Sequence, residues 1–396
     1  MKLMRVLYVH SGNIYGGVET LLTTLARQRD LCPTMEPNYA LCFEGRLSED
    51  LTTAGAIVHL LGKARIRQPL SIARARRLLS ELLEHEHFDL VVCHSSWSQS
   101  LFGPVIRSAH LPLVVWLHSQ TNGRHWLDRW AHRTAPDMVL CNSEFTAATA
   151  ANLFPQVRTE VLYSPVGTTN GRSWDDGRAA TQAEFQTPEN AVVIIQASRM
   201  EAWKGHALHL EALSTLKDLP DWVCWQVGGA QRQSEIQYLG GLKKKAAQLG
   251  IAERVRFLGQ RSDVEKLLTA SDIYCQPNTG AEPFGLTFIE ALTARLPVLT
   301  TAIGGALEIV NEDCGLLVPP DDELALAGAL RRLILDRRLR ERLGSAGPAR
   351  ARELCDTKTQ MQRLYECFSS VSRRRLQNPG VGQLGEGSSR RKQQCT

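Results

Sequence analysis

Two glutamates eight residues apart, Glu282 and Glu290, bracket a Pro-Phe-Gly turn in the stretch AEPFGLTFIEAL. Pro283 fixes the chain and Gly285 frees it, so a helix is predicted to begin near Leu286. The first amides of a helix have no partners within it and favour an anion. Glu282, just outside, would repel a phosphate placed beside it, but it suits a neutral polyol whose hydroxyls donate to a carboxylate. Glu290 lies about 6 Å further along at ~1.5 Å rise per residue and could hold a second hydroxyl pair. A sugar, a diphosphate and a ribose laid across that span would use all three elements. Taken alone, the same residues also read as a loop charge and a helix charge.

Two cations, Arg199 and Lys204, stand five residues apart in ASRMEAWKGH, on a loop between a predicted strand and a helix. They could clamp a diphosphate there, the guanidinium as a fork and the ammonium as a point charge. As isolated residues they read equally as a solvated loop with a lysine opening a helix. Near the N-terminus, HSGNIYGGVET is a Gly-rich turn that matches neither nucleotide fingerprint. Ile14 stands where G-x-G-x-x-G counted from Gly12 needs its second glycine, and Val18 and Glu19 stand where a P-loop needs Lys-Ser or Lys-Thr. Gly16 and Gly17 still permit close approach of a ligand and expose helix amides to an anion. A plain tight βα turn has the same composition.

These residues need strands that end at them. The first half supplies RVLYVH, YALCF, IVHLL, FDLVVCHS, LPLVVWLH and DMVLCNS; the second supplies AVVIIQASR, WVCWQVGG, RVRFLGQ, DIYCQPN, LPVLTT and GLLVPP. Amphipathic helices such as VETLLTTLARQR and LSIARARRLLSELLEHE intervene. The alternation predicts parallel βαβ units, hence an α/β fold of two Rossmann-like domains facing across a cleft. The domains are expected over 1–166 and 167–372. The last helices are expected over roughly 322–371, with the final one packing back on the first domain. LYSPVGTTNGRSWDDGRAATQAEFQTPEN has few apolar residues and reads as the interdomain linker plus a loop or frayed helix. Ligands of such sheets bind outside the carboxyl ends of the strands, which puts the chemistry in the groove between domains.

Composition narrows the class. At 396 residues, 43% hydrophobic and 22% charged, the chain reads as soluble and globular with room for two domains. The net charge of +5 resides in the tail, where Arg373, Arg374, Arg375, Arg390, Arg391 and Lys392 face Glu386 alone. Residues 373–396 are predicted to be disordered, and the body is neutral. A nucleic-acid binder would more often carry a basic face on its folded part, so no nucleic-acid partner is expected. The ten cysteines form no C-x-x-C pair, and Cys93, Cys141 and Cys275 end apolar runs, which suits reduced thiols in a cytoplasm. The apolar stretch of MKLMRVLYVHSG is too short for a secretory signal, and no run approaches membrane-spanning length. KARIRQPLSIARARRLLSELL carries Lys63, Arg65, Arg67, Arg74, Arg76 and Arg77 with Leu78, Leu79, Leu82 and Leu83. It reads as a surface helix whose leucines pack on the sheet. It also reads as a basic face lying peripherally on the inner side of an anionic membrane.

SRMEAWKG, VRFLGQRSDVEKLLTASDIYCQPNTGAEPFGLTFIEALTARLPVLTTAIGGALEIV and GLLVPPDD, taken in order, resemble the nucleotide-sugar domain of glycosyltransferase family 4, a retaining family of GT-B architecture. The first half resembles it more loosely, through GGVET, WLHSQ and CNSEFTA; residues 168–190 and the tail lie outside the resemblance. The resemblance implies that Glu282 binds donor-sugar hydroxyls, Glu290 the ribose, and Arg199 and Lys204 the departing diphosphate. It implies that backbone amides of Phe284, Gly285, Leu286 and Thr287 touch sugar and phosphate, and that Gly16 and Gly17 face the phosphates from the other domain. His118, ending LPLVVWLH, would reach the donor sugar near its anomeric carbon; a lone histidine at a strand end is otherwise often structural. The hinge, often Asn-Gly-Val in this family, is YSPVG here.

The implied reaction moves a sugar from a nucleotide-sugar donor, UDP- or GDP-linked, to a sugar or lipid-linked acceptor in glycan, polysaccharide or glycolipid synthesis. No D-x-D motif occurs. That argues against the metal-dependent GT-A architecture, so neither a metal nor another cofactor is expected. A GT-B epimerase or phosphorylase, or a non-catalytic partner that binds a sugar nucleotide, are the alternatives; acceptor-free hydrolysis of nucleotide sugars would help separate them.

Overall fold

Val, Leu and Ile crowd into short uninterrupted runs because each strand is covered on both faces. In the computed structural model, which describes residues 3–12, 14–166, 177–219 and 221–377, these runs form two all-parallel sheets. The first contains β1 (Met4–His10), β2 (Met35–Leu41), β3 (Ile57–Leu60), β4 (Leu90–His94), β5 (Leu113–Leu117), β6 (Met138–Cys141) and β7 (Thr159–Val161), in the order β3-β2-β1-β4-β5-β6-β7. The second contains β8 (Val192–Ala197), β9 (Trp222–Val227), β10 (Val255–Gly259), β11 (Ile273–Gln276), β12 (Val298–Thr301) and β13 (Gly315–Val318), in the order β10-β9-β8-β11-β12-β13. This is the expected doubled α/β architecture.

Details differ from expectation. β2 begins at Met35, upstream of the run YALCF, and leaves Cys42 and Phe43 beyond its end. β7 was not anticipated: its three half-buried residues, Thr-Glu-Val, neither alternate nor form an apolar run. Within the stretch read as linker plus a loop or frayed helix, Arg178–Glu184 takes the helical alternative. Tertiary contacts anchor it: Arg178 forks onto both oxygens of Asp272 at 2.8 and 2.9 Å, and Gln182 Nε2 donates to the Ala270 carbonyl at 3.0 Å. Residues 167–176 of that stretch lie outside the described residues. The last helix, Thr357–Gln377, runs past the predicted start of the tail, so 373–377 are helical; 378–396 lie outside the described residues.

Each sheet carries an apolar layer on either face. In the first domain Val9, Val91, Val115 and Val139 lie in one layer, and Val6, Tyr8, Trp116 and Leu140 in the other. Met361, Leu364, Phe368 and Val371 of the last helix join the second of these layers, with the Phe368 ring 6.3 Å from Tyr8. Where the chain leaves the first domain it runs beside the segment that returns: Val166 bridges Asp356, and Thr357 Oγ1 donates to the Val166 carbonyl at 2.7 Å. The hinge thus consists of two chain segments joined by an isolated bridge.

The basic helix Pro69–His85 turns its leucines inward. Leu79 is fully buried, and Leu78, Leu82 and Leu83 pack on the same layer. Arg76 is committed to the carbonyls of Leu101 and Ser100 at 2.6 and 3.3 Å, and Arg77 to Glu81 at 3.3 Å. Lys63, Arg65, Arg67 and Arg74 remain exposed. Among the described residues no helix is long and apolar enough to cross a membrane, and the nine cysteines are unpaired.

Both sheets reverse their strand order at a central strand. β1 lies between β2 and β4, and β8 between β9 and β11. A crevice opens at such a point, outside the carboxyl ends of the strands.

Candidate active site

β8 and β11 pair in parallel, so the loops that follow them meet, although they are distant in sequence. One loop holds Arg199 and Lys204, the other Glu282. Lys204 Nζ lies 2.5 Å from Glu282 Oε2, with both side chains only 11% exposed, and 4.0 Å over the Trp203 ring. The same oxygen also accepts from Gln276 Nε2 at 3.2 Å and Asn278 Nδ2 at 3.4 Å. Gln276 is held in turn: it accepts from Tyr274 OH at 2.8 Å and donates to Asn278 Oδ1 at 3.0 Å. The close approach of the two loops requires glycine at 205, where φ is +74° and a Cβ would sit 1.7 Å from the Pro277 carbonyl oxygen.

Neither cation stands alone here. Arg199 is paired with Glu201 at 2.9 Å, and Lys204 with Glu282. Each cation has found a carboxylate, one within its own loop and one across the switch point.

The helix expected near Leu286 spans Leu286–Thr293. Gly285 caps it at φ +108°, and Phe284 is buried and stacks on Tyr163 at 5.4 Å. The amides of Leu286 and Thr287 precede the helix's own ladder. From behind, the helix Arg337–Cys355 presses close through Gly344 and Gly347, where added Cβ atoms would lie 2.1 Å from the Arg295 carbonyl oxygen and 2.6 Å from that of Leu292. Thr287 lies beside the Tyr274 hydroxyl. Glu290, on the second turn, is not a plain carboxylate: loss of surrounding water and then repulsion from Glu265 push its pKa up to about 7.

From the first domain the Gly-rich turn faces this helix. A Cβ on Gly17 would lie 3.4 Å from Leu286 Cδ1. The amide of Gly16 is taken by Glu19 Oε2 at 2.8 Å, so this glycine does not offer a free amide, contrary to expectation. The other oxygen of Glu19 bonds His10 Nε2 at 2.7 Å. His118 follows β5 and bonds His94 Nδ1 through Nε2 at 2.9 Å, their rings stacked at 5.2 Å. Burial, then the nearby His10, pushes the His118 pKa down to about 3, so it is a neutral hydrogen-bonding group at neutral pH. His10, Glu19 and His94 were missed in the sequence. The signal that singled out His118, a histidine closing an apolar run, applies equally to His10 and His94.

The domains also touch around the site. Tyr15 and Gln231 exchange two hydrogen bonds, at 3.1 and 3.0 Å. Ser143 Oγ donates to the Pro283 carbonyl at 2.5 Å. Glu308 accepts the amides of Glu144 and Phe145 at 2.8 and 2.7 Å and the Tyr163 hydroxyl at 3.1 Å. The unusual hinge residue Tyr163 therefore packs against the Pro-Phe-Gly turn itself.

Residues 15–170 match the model described as Glycosyltransferase Family 4, and residues 178–350 that described as Glycosyl transferases group 1. The phosphatidyl-myo-inositol mannosyltransferase of Mycobacterium leprae is 27% identical over 319 residues, 76% of this chain and 78% of that one. The human alpha-1,3/1,6-mannosyltransferase is 26% identical over 319 residues, 73% of this chain and 75% of that one. Anabaena HepE, solved in complex with UDP-glucose, superposes with a TM-score of 0.80 at 25% identity, covering 93% of this chain and 100% of that one.

Proposed function

Because this chain belongs to glycosyltransferase family 4 and is a glycosyltransferase of GT-B fold, we propose that it moves a sugar from a UDP- or GDP-linked donor to an acceptor hydroxyl, with retention at the anomeric carbon and without a metal ion. The observation that carries the donor assignment is the Lys204–Glu282 pair at the mouth of the helix Leu286–Thr293. It sets a cation, a carboxylate and free helix amides within one ligand's reach. The three described donors to Glu282 all reach Oε2, which leaves Oε1 for the donor sugar. Lys204 has two further N–H donors for the diphosphate. Arg199 joins it on giving up Glu201. The ribose lies on Glu290, and Gly17 approaches the phosphates from the first domain. The C1–O bond to the diphosphate breaks as the acceptor oxygen bonds C1 on the same face. A phosphate oxygen takes the acceptor proton, and the cations and helix amides stabilise the growing charge. Neutral His118 hydrogen-bonds the sugar. The HepE complex and the mannosyltransferase relatives support a nucleotide-sugar donor and a glycan or glycolipid setting. A cytoplasmic location, facing a membrane where the acceptor is lipid-linked, fits the unpaired thiols.

A thermal-shift panel of UDP-, GDP- and ADP-sugars tests the donor class. A donor at about 100 times its dissociation constant stabilises by about 2.7 kcal/mol. Turnover should survive EDTA; full loss on chelation, restored by Mg²⁺, would overturn the metal-free reaction.

The Glu290 assignment predicts a pH dependence. Ribose hydroxyls donate to the charged carboxylate and so lower its pKa from about 7. UDP or GDP affinity should therefore rise with pH through about 7 and level off above it. Binding near pH 7 should release protons, read as a calorimetric enthalpy that varies with the buffer. Glu290→Gln should weaken binding and abolish this dependence. A wild-type affinity that stays flat across this range removes Glu290 from the ribose.

A further inference from the structure

We propose that the cavity at the carboxyl end of the first sheet binds an acceptor that carries an anionic group, phosphate in the first instance, beside a polyhydroxylated ring. The inference rests on the transferase reading and goes beyond it by giving the acceptor a chemical class.

The cavity has a volume of about 390 Å³ and is lined by Ser11, Phe43, Arg65, Arg67, Gln68 and Trp97, among others. Its place in the topology is specific. Ser11 directly follows β1 and Trp97 lies just beyond β4, and these are the two strands between which the sheet reverses its order. Ser11 is joined across that point to Ser98, hydroxyl to hydroxyl at 2.8 Å. The first domain thus has a switch-point crevice of its own, distinct from the one between β8 and β11 that holds the donor-site pair. The volume falls at the small end of ligand pockets, about 300–1,000 Å³, and matches one substituted ring rather than a long chain.

Its lining is basic and aromatic. Arg65 and Arg67 are exposed, no carboxylate among the described residues pairs with either, and no acidic residue lines the cavity. Two guanidinium groups, two residues apart on one loop, suit a phosphate or carboxylate through forked bonds. The loop is already shaped: Gln68 N donates to the Arg65 carbonyl at 2.9 Å, and the Ser71 hydroxyl accepts from Arg65 N at 3.0 Å and donates to the Gln68 carbonyl at 2.6 Å. Gln68 is also the N-cap of the 17-residue helix Pro69–His85, whose first turn has no acidic side chain. The positive end of that helix therefore adds to the two arginines. Trp97 is braced edge-on by Trp126 and Trp130 at 6.5 and 6.1 Å, which holds the indole as a fixed wall for the C–H face of a ring. The Ser11 hydroxyl, which lines the cavity, can then meet one of the ring's own hydroxyls.

A ring-borne phosphate can come from a soluble sugar or cyclitol phosphate or from a lipid headgroup. Calorimetry on the full chain with glucose 6-phosphate and myo-inositol 1-phosphate, against glucose and myo-inositol, covers the first source. Sedimentation with vesicles of phosphatidylinositol in phosphatidylcholine, against phosphatidylcholine alone, covers the second. At least one phosphorylated probe should bind ~10-fold or more tighter than its neutral counterpart, and Arg65→Gln with Arg67→Gln should reduce that binding by at least ~10-fold. UDP titration checks that the variant is folded; should it not fold, the wild-type comparison of phosphorylated with neutral probes decides. Equal binding of neutral and phosphorylated rings, no binding of any phosphorylated probe in either arm, or arginine-independent binding overturns the assignment. Arginine-dependent binding of a phosphorylated probe in a chain that never turns over a nucleotide sugar supports the site and overturns the transferase reading instead.

Discussion

Replacing Lys204 with methionine should lower turnover by about 10²-fold or more and change donor affinity far less. The ammonium faces charge that grows on the departing diphosphate, so it acts more strongly in the transition state than in the bound donor. One well-placed group of this kind contributes about 2.7–4 kcal/mol to the rate in a dry, preorganised site. Here the variant has a second consequence. Glu282 would keep only the amides of Gln276 and Asn278, and a mostly buried carboxylate that loses its cation destabilises the fold by about 3 kcal/mol. The two effects separate in the double variant Lys204→Met with Glu282→Gln, which removes the stranded charge. Stability measured by urea unfolding should recover, while turnover should fall below that of Glu282→Gln alone. Turnover equal to that of Glu282→Gln alone would make the lysine a structural counter-ion, and a raised KM with unchanged kcat in Lys204→Met would mark uniform binding.

The parts of this fold that were legible in the sequence are those whose cause is local. Val-rich runs such as VVIIQA can only be strands covered on both faces, and the Pro-x-Gly turn starts the helix at Leu286 as read. The parts that were not legible depend on who lies opposite. β7 is a strand because Cys141 and its neighbours offer a free edge, not because Thr-Glu-Val prefers extension. For Arg178–Glu184 the sequence left loop or frayed helix open, and Asp272 and the Ala270 carbonyl hold it as a helix.

The site divides in the same way. Glu282, Lys204 and Glu290 were singled out in the sequence by type and spacing, but their electrostatic state was not legible there. Lys204 and Glu282 are separated by 78 residues and meet only because β8 and β11 are neighbours. Glu308 was not singled out in the sequence, yet it takes two backbone amides of the other domain. The cavity beside Trp97 draws on residues that follow β1, β2, β3 and β4, so no window of sequence could show it.

Glu282→Gln is expected to cut turnover by about 10²-fold while leaving UDP or GDP affinity nearly unchanged. The substitution keeps size and shape, so packing around Tyr274 and Trp203 should survive. It removes the charge that strengthens hydrogen bonds from sugar hydroxyls, bonds that contribute about 1.5–3 kcal/mol each when one partner is ionised. It also disturbs the local donor count. The single Oε2 now accepts from Lys204, Gln276 and Asn278 together, and a glutamine has only one oxygen to share between them and the sugar. The sugar therefore loses its orientation relative to the acceptor oxygen, and a displacement of about 1 Å costs on the order of 10² in rate. A free nucleotide has no sugar at this position, so its binding should not register the change. Glu290→Gln should show the converse, weakened nucleotide binding, because its carboxyl lies further along the helix. Titrating UDP and GDP into both variants, beside single-turnover rates with the preferred donor, decides the matter. Equal loss of nucleotide affinity in the two variants would show that Glu282 supports the whole pocket rather than the sugar, and the division of roles along the helix would fall.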